Sequence, residues 1–452
     1  VPVRTTLTTT ACSCCSVGCT RDLESRGDML LRSLPVSGED TVNNGLLCSK
    51  GRFGFSAYIT ENRITKPMVR KDGELVETTF KEAFLYAARR AQSLHLLHGR
   101  NSVGISISDR YTNEELYMAK KFGVEVLGTN EVFSLGNKKS GLKDVLPYDA
   151  SPNLLDELTR TDVIISVGGD MMADYAIAAL KVKEAVGNGA KLIHLNNKKN
   201  KLDDWAARSV KLENNLDFLQ EIAKYLVEHS AKAIRAAGYE DVKKTLADVR
   251  VSSEAAEIAE LYLNAKKAMI IYDGREVSLE GEQLIASICM LSGHIASARE
   301  GFIKLRANAN GQGLVDMGID IDSASKFAKI ANGELKGLMV FGEDVPVDAV
   351  RGLSFLMVQD THMTELAKIA DVVIPATVMV ESDGTITSAE RRVHRVSAAI
   401  ESPTGFSNWE IYKLLMNTYS TNCYVGSHED ITEEYSRDMF GYVGLTNVKA
   451  SD

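Results

Sequence analysis

The stretch TDVIISVGGDMMADYAIAALKVKEAVGNGAKLIHLNN, residues Thr161–Asn197, decides the fold class. Asp162–Val167 is an apolar run that ends at Gly168-Gly169-Asp170, as a buried strand does where the chain must turn sharply. Met171–Val186 has the length and apolar spacing of a helix, and Gly187-Asn188-Gly189 stops it. Ala190–Leu195 is a second apolar run. Strand, helix and strand in that order form a βαβ unit, whose crossover makes the two strands parallel.

The same alternation extends in both directions. Ser102–Ser106 reads as a strand, and Thr112–Gly123 as an amphipathic helix capped by Thr112 or Asn113. Further on, Ala268–Tyr272, Gly337–Phe341, Phe355–Val358 and Asp371–Ile374 read as strands, with a helix at Glu280–Leu291. Two such runs, at about 100–200 and 265–375, predict doubly wound parallel sheets. Asn215–Glu260 is helical, charged and expected at the surface. Upstream, Val69–Val76 (VRKDGELV) has the Asp-Gly turn of a hairpin. Thr79–Leu97 follows as a helix, with Ala83, Phe84, Ala87, Ala88, Ala91 and Leu94 on one face.

Composition narrows the function. A chain of 452 residues is too long for one core and suggests two to four domains. The net charge of −9 gives no basis for a nucleic-acid surface. No apolar run reaches membrane-spanning length, and the N-terminus lacks the apolar segment of a signal peptide. A reducing, cytoplasmic location is the default, and there clustered cysteines favour metal or redox centres over disulfides. No G-x-G-x-x-G links a strand to a helix, so a dinucleotide site of that kind is not expected in this chain.

Four of the seven cysteines fall within nine residues, Ala11–Cys19 (ACSCCSVGC). Cys12, Cys15 and Cys19 form C-x2-C-x3-C, and Cys48 follows after twenty-eight intervening residues. Three thiolates on one loop plus a distant fourth suit a [4Fe–4S] cluster. A four-cysteine zinc site is the rival, but it usually shows two C-x2-C pairs. Cys14 is then a bystander, Cys289 a packed core residue, and Cys423 has no assigned role. Gly18 and Gly45 fit backbone turned tightly around the cluster, and Lys50 can set a positive charge beside it. His294, His362 and His394 are too scattered to form a metal site. Lys198-Lys199-Asn200-Lys201 reads as a solvated turn.

Taken with VNNGLLCSKGRFGF (Val42–Phe55), RITKPMVRKDGEL (Arg63–Leu75), YTNEELYMAKKFGVEVLGTN (Tyr111–Asn130), QDTHMTELAKIADVVIPA (Gln359–Ala376) and ESDGTITSAERRVHRV (Glu381–Val396), the cysteine motif resembles molybdopterin oxidoreductases. Formate dehydrogenase large chains and the large iron–sulfur subunit of complex I are the nearest in kind. The resemblance implies an α/β chain: a small N-terminal [4Fe–4S] domain (1–64), then two doubly wound α/β domains, one inserted in the other. The outer domain is expected at 65–140 and 265–420, the inserted one at 141–264, and a tail at 421–452. It maps Cys12, Cys15, Cys19 and Cys48 onto the cluster ligands, and Lys50 onto the lysine between cluster and pterin. Glu390-Arg391-Arg392 matches a family motif and is expected in an interdomain salt-bridge network.

Several departures from that family shape the functional expectation. Glu131–Asn153 holds no cysteine or histidine to ligate a catalytic metal; Ser134 or Ser140 could supply an oxygen ligand, as serine does in some relatives, but both read more simply as loop serines. Asp170, Asn196-Asn197-Lys198 and Gly342-Glu343-Asp344 stand at strand ends where a pterin dinucleotide would place phosphates. The chain ends soon after Trp409, so a C-terminal β-barrel lid is expected to be absent, and Glu429–Glu434 reads as a surface tail or docking segment. The expectation is therefore an electron-transfer iron–sulfur subunit of a multi-subunit oxidoreductase, with one [4Fe–4S] cluster, no molybdopterin and no catalytic residue. Its partners would be flavin- and NAD(P)H-binding chains and ferredoxin- or hydrogenase-like chains, with no nucleic acid and no membrane insertion. The alternatives are a molybdenum or tungsten bis-pterin catalytic subunit, such as formate dehydrogenase, and a structural scaffold.

Overall fold

The computed structural model describes residues 4–38, 41–56, 59, 62–419 and 425–439. Strands β1 (Thr6–Ala11), β2 (Thr20–Arg26) and β3 (Met29–Pro35) form an antiparallel sheet in the order β1-β2-β3. The expected hairpin is β4 (Met68–Lys71) with β5 (Glu74–Glu77), and β6 (Val103–Ile107) and β7 (Val132–Phe133) follow. Then come β8 (Val163–Val167), β9 (Lys191–Asn196), β10 (Arg208–Lys211), β11 (Ala268–Asp273) and β12 (Gly301–Leu305). These five build an all-parallel sheet in the order β10-β9-β8-β11-β12. The strands β13 (Gly337–Phe341), β14 (Phe355–Asp360) and β15 (Val372–Pro375) return to the earlier sheet, which has seven strands in the order β5-β4-β15-β14-β13-β6-β7. A last hairpin, β16 (Gly384–Thr387) with β17 (Val393–Val396), lies beside β1.

Both large sheets reverse strand order in mid-sheet, between β8 and β11 and between β6 and β13. In open α/β sheets the carboxyl ends of strands at such a reversal border the ligand crevice. The central strands are largely apolar, with Ser166 in β8 and Asp273 at the end of β11 as exceptions, and every residue of β8 and β11 is buried.

Local signals explain the helices. Thr79 caps Phe80–His98 by accepting from the Glu82 amide at 3.2 Å, and the six expected apolar residues are buried on one face. Thr112 and Glu115 form a capping box at the start of Asn113–Lys121.

The structure corrects four expectations. β11 and β12 belong to the five-stranded sheet, so the boundary expected at 264/265 falls inside the inserted unit. Apolar strand runs look alike whichever parallel sheet they join. The helix expected over Met171–Val186 breaks at Tyr175, giving Met171–Asp174 and Ala176–Gly187. There the Tyr175 hydroxyl donates to Asp273 at 3.2 Å and the backbone leaves helical geometry. Asn215–Glu260 is more than a charged surface: Phe218, Leu219, Ile222, Ala223, Leu226 and Val227 pack into the core of the five-stranded unit. Glu429–Glu434 lies within the helix His428–Asp438, whose Ile431 and Tyr435 are buried in the core of the seven-stranded unit. Of the tail expected at 421–452, residues 421–424, which include Cys423, and 440–452 lie outside the described residues. No helix among the described residues is long and apolar enough to cross a membrane.

Candidate functional site

The cysteine loop begins where β1 ends. The Cys12 amide donates to the Cys19 carbonyl at 2.8 Å and closes the loop at its base. Gly18 turns the chain back with φ +80°, a conformation that favours glycine. A Cβ there would stand 2.5 Å from His394 Nε2 and 2.7 Å from Ser388 Cβ, so the β16–β17 hairpin is packed against the turn. Cys48 arrives from the other side as the N-cap of the short helix Ser49–Phe53, its thiol accepting from the Gly51 amide at 3.3 Å. The Asn43 side chain ties this segment to the loop through Thr20 and Leu46.

These contacts bring Cys12, Cys15, Cys19 and Cys48 to one small cavity, walled by Val17, Leu47, Gly51, Ala176 and Ile177. Cys14 lines it as well. Hydrogen bonding from Cys14 draws the Cys12 thiol down to about 6, while Cys14 itself is pushed up. Burial pushes Cys15 up to about 12 and Cys19 well above its usual value. Buried thiols of this kind are stabilised as thiolates by bound cationic iron, which replaces their protons. The described residues hold no group of three His, Cys, Asp or Glu side chains placed for a single ion. Thiols spread around a common cavity suit a cubane, whose ligands stand farther apart than those of one metal ion. Cys289 is buried in the core of the inserted unit beside Tyr262.

Lys50 faces the inserted unit. Its ammonium meets Asp174 at 2.9 Å, Asp174 meets Arg275 at 2.5 Å, and Arg275 meets Asp273 at 2.6 Å. Sequence reasoning found Lys50 but missed Asp174, Tyr175 and Arg275. The available signal was the strand-end turn Asp273-Gly274-Arg275, which puts charge at a switch point.

The buried ends of β12 and β13 are strongly ionic. Glu343, after β13, accepts from the hydroxyls of Ser106 and Ser134 and from the amides of Leu135 and Gly136, the amides at 2.9 and 3.0 Å. Burial nevertheless pushes it up to about 6. Ser140 donates to Glu282 at 2.6 Å and accepts from Lys304 at 2.9 Å. Lys304 also pairs with Asp149 and Glu282, and Arg306 with Asp149, all nearly inaccessible. Burial opposes the charge on Asp149, yet Arg306 and Lys304 hold it down at about 2. Ser134 and Ser140 are thus partners of carboxylates rather than free loop serines.

Other expected residues fall as follows. Asp170 caps its own helix, accepting from the Ala173 amide at 3.1 Å. Beside it, Asn197, Lys198 and Lys199 are exposed at the end of β9. Asp360 accepts from the Thr361 amide. Glu390 accepts from the Leu155 amide at 2.7 Å and pairs with Arg392, tying β16–β17 to the entrance of the inserted unit. His294 is buried between Glu300 and Tyr262, and His362 bonds Thr361. Burial pushes His394 down to about 4, and its Nε2 has no hydrogen-bond partner.

Residues 63–418 match the model of the molybdopterin oxidoreductase family, and residues 5–58 that of its Fe4S4 domain. The chain belongs to this family. The F420-dependent formate dehydrogenase 2 subunit alpha of Methanococcus maripaludis is 27% identical, over 95% of this chain and 72% of its own length. YrhE of Bacillus subtilis, provisionally named a formate dehydrogenase, is 28% identical over 95% of this chain and 51% of its own. The chain thus spans about half the length of several curated relatives it matches. Among solved structures, the acetylene hydratase of Pelobacter acetylenicus superposes with a TM-score of 0.70 at 13% identity, over 91% of this chain and 69% of its own, which shows a shared fold.

These findings overturn the expectation of an electron-transfer subunit lacking molybdopterin. The relatives named above carry the name formate dehydrogenase, one of them provisionally, and the model of the molybdopterin oxidoreductase family spans residues 63–418. The expectation rested partly on carboxylates at strand ends, and Asp170 does cap its own helix there by taking the Ala173 amide. The Fe4S4 match supports the [4Fe–4S] cluster.

Proposed function

We propose that this chain is the cluster-bearing part of a molybdenum or tungsten pterin catalytic chain of the formate dehydrogenase type, with Cys12, Cys15, Cys19 and Cys48 as ligands of one [4Fe–4S] cluster. The observation that carries the reading is the four-cysteine cavity, walled by Ala176 and Ile177 of the inserted unit, in a chain whose relatives are formate dehydrogenases.

The strand ends differ in their fit to a pterin dinucleotide. Gly168 and Gly169, at φ +71° and +74°, make a turn where a Cβ would meet Glu276 and Asp273, so acidic side chains occupy that side, and only the exposed Lys198 and Lys199 at the end of β9 offer positive charge to a phosphate. The Ser134–Gly136 turn does not fit one, because Glu343 already takes its hydroxyl and two of its amides. No side chain of 131–153 offers a thiolate or imidazole, so none is assigned as a metal ligand. When bound, the pterin–metal group would supply the two-electron exchange with substrate.

The work of this chain's own residues is electron relay. The cysteines hold the cluster in an apolar pocket, and the Gly51 amide and Lys50 bias its potential. Electrons pass singly to partner redox chains, of the flavin- and NAD(P)H-binding or ferredoxin- or hydrogenase-like kinds, in the cytoplasm. Metal analysis of the full-length protein purified under anoxic conditions tests the proposal. Stoichiometric molybdenum or tungsten beside four irons, with formate-dependent dye reduction, is expected. Iron without either heavier metal would refute it.

A further inference from the structure

We propose that Asp174 and Arg275 are positioning residues that clamp Lys50 and thereby set the potential of the [4Fe–4S] cluster held by the four cysteines. The inference rests on the ligand assignment above and adds a control built from the inserted unit.

Lys50 lies two residues beyond Cys48, and Asp174 lies two and three residues before Ala176 and Ile177, which wall the cysteine cavity. The helix break at Tyr175 is what turns Asp174 toward Lys50 while Ala176 and Ile177 face the thiols. Arg275 is fixed in turn: its backbone amide and its guanidinium both bind Asp273, and it stacks over Tyr175 at 5.3 Å. Tyr175 closes the circuit by donating to Asp273. Charges therefore alternate from the cluster rim to the end of β11: Lys50, Asp174, Arg275, Asp273. Asp273 is almost inaccessible, whereas Lys50 is about half exposed, so the anchor is inside and the tuned charge outside.

Reduction adds one electron to the cluster and no proton, making an anionic group more negative. A cation held at its rim favours the reduced form, and an anion there opposes it. Lys50 alone would be a flexible surface charge with many rotamers. Asp174 restricts it to one place and partly cancels it, and Arg275 holds Asp174 there.

The test is an EPR-monitored redox titration of the full-length protein at low ionic strength, with iron counted in each sample. Asp174→Asn, which keeps the side chain's shape, is expected to raise the midpoint potential, and Arg275→Met to lower it. Lys50→Met is expected to lower the potential in the wild-type background and to shift it less in the Asp174→Asn background, since the clamp no longer places Lys50. Shifts of these signs with a smaller Lys50→Met effect in the Asp174→Asn background support the clamp. Unchanged potentials, or a Lys50→Met shift equal or larger in that background, with full iron content throughout, would overturn it. A wild-type chain that yields iron but no reducible cluster signal would overturn the ligand assignment beneath it.

Discussion

Gly18→Ala puts the packing of the cysteine loop to a quantitative test. Two costs add at this position. The φ of +80° is a left-handed conformation that costs a residue with a Cβ about 1–2 kcal/mol. The new methyl also falls 2.5 Å from His394 Nε2 and 2.7 Å from Ser388 Cβ, and overpacking of this kind costs about 1–3 kcal/mol. The total is about 2–5 kcal/mol, concentrated between Cys15 and Cys19. Gly27 supplies the control: its φ is +56°, but a Cβ there meets nothing within 4 Å, so Gly27→Ala carries only the conformational cost. Urea unfolding followed by circular dichroism, with iron content measured on the same samples, compares the two. Gly18→Ala is expected to lose more stability than Gly27→Ala and to bind less iron. Equal losses in the two variants would show that the β16–β17 hairpin does not brace the loop.

Further outcomes follow from the same contacts. Cys48→Ser is expected to lower cluster iron sharply, while Cys14→Ser keeps it, as read by iron analysis and the visible absorption of the cluster. Glu343 is pushed up to about 6 by burial, so its folded form keeps a proton that the unfolded chain releases near pH 4.3. Its contribution of about 2 kcal/mol is present below that pH and is lost as pH rises through 6. Glu343→Gln should flatten this part of the stability–pH curve measured by thermal unfolding. Lys304→Met strips Asp149 and Glu282 of a buried partner and is expected to cost about 3–5 kcal/mol in a urea unfolding curve.

Much of the fold is legible in the chain because it depends on local punctuation. Gly168-Gly169 and Gly187-Asn188-Gly189 bracket a βαβ unit whatever surrounds it, and the cysteine spacing names its own metal chemistry. Long-range pairing is a different matter. Asp174 and Arg275 are 101 residues apart, and nothing in either neighbourhood shows that they meet. β11 is as apolar as the central strands of the seven-stranded sheet, so its own pattern does not say that it pairs with β8 and β12. Glu343 is the sharpest case. A carboxylate at a strand end looks repulsive to phosphate, yet its meaning depends on four donors from two other segments. The charged face of Asn215–His229 similarly hides an apolar stripe at helical spacing.

The pairing of Lys304 and Arg306 with Asp149 has a consequence for time as well as shape. Arg306 also donates its backbone amide to Ser16 in the cysteine loop, at 2.8 Å, so a single strand end grips the loop and the buried ion pairs together. Pulling that strand end from the loop would break a buried hydrogen bond and disturb the ion pairs at once. The cysteine loop is therefore held against the end of β12 by the folded chain itself, and under the proposal above a cluster bound there would keep its place through each change of oxidation state.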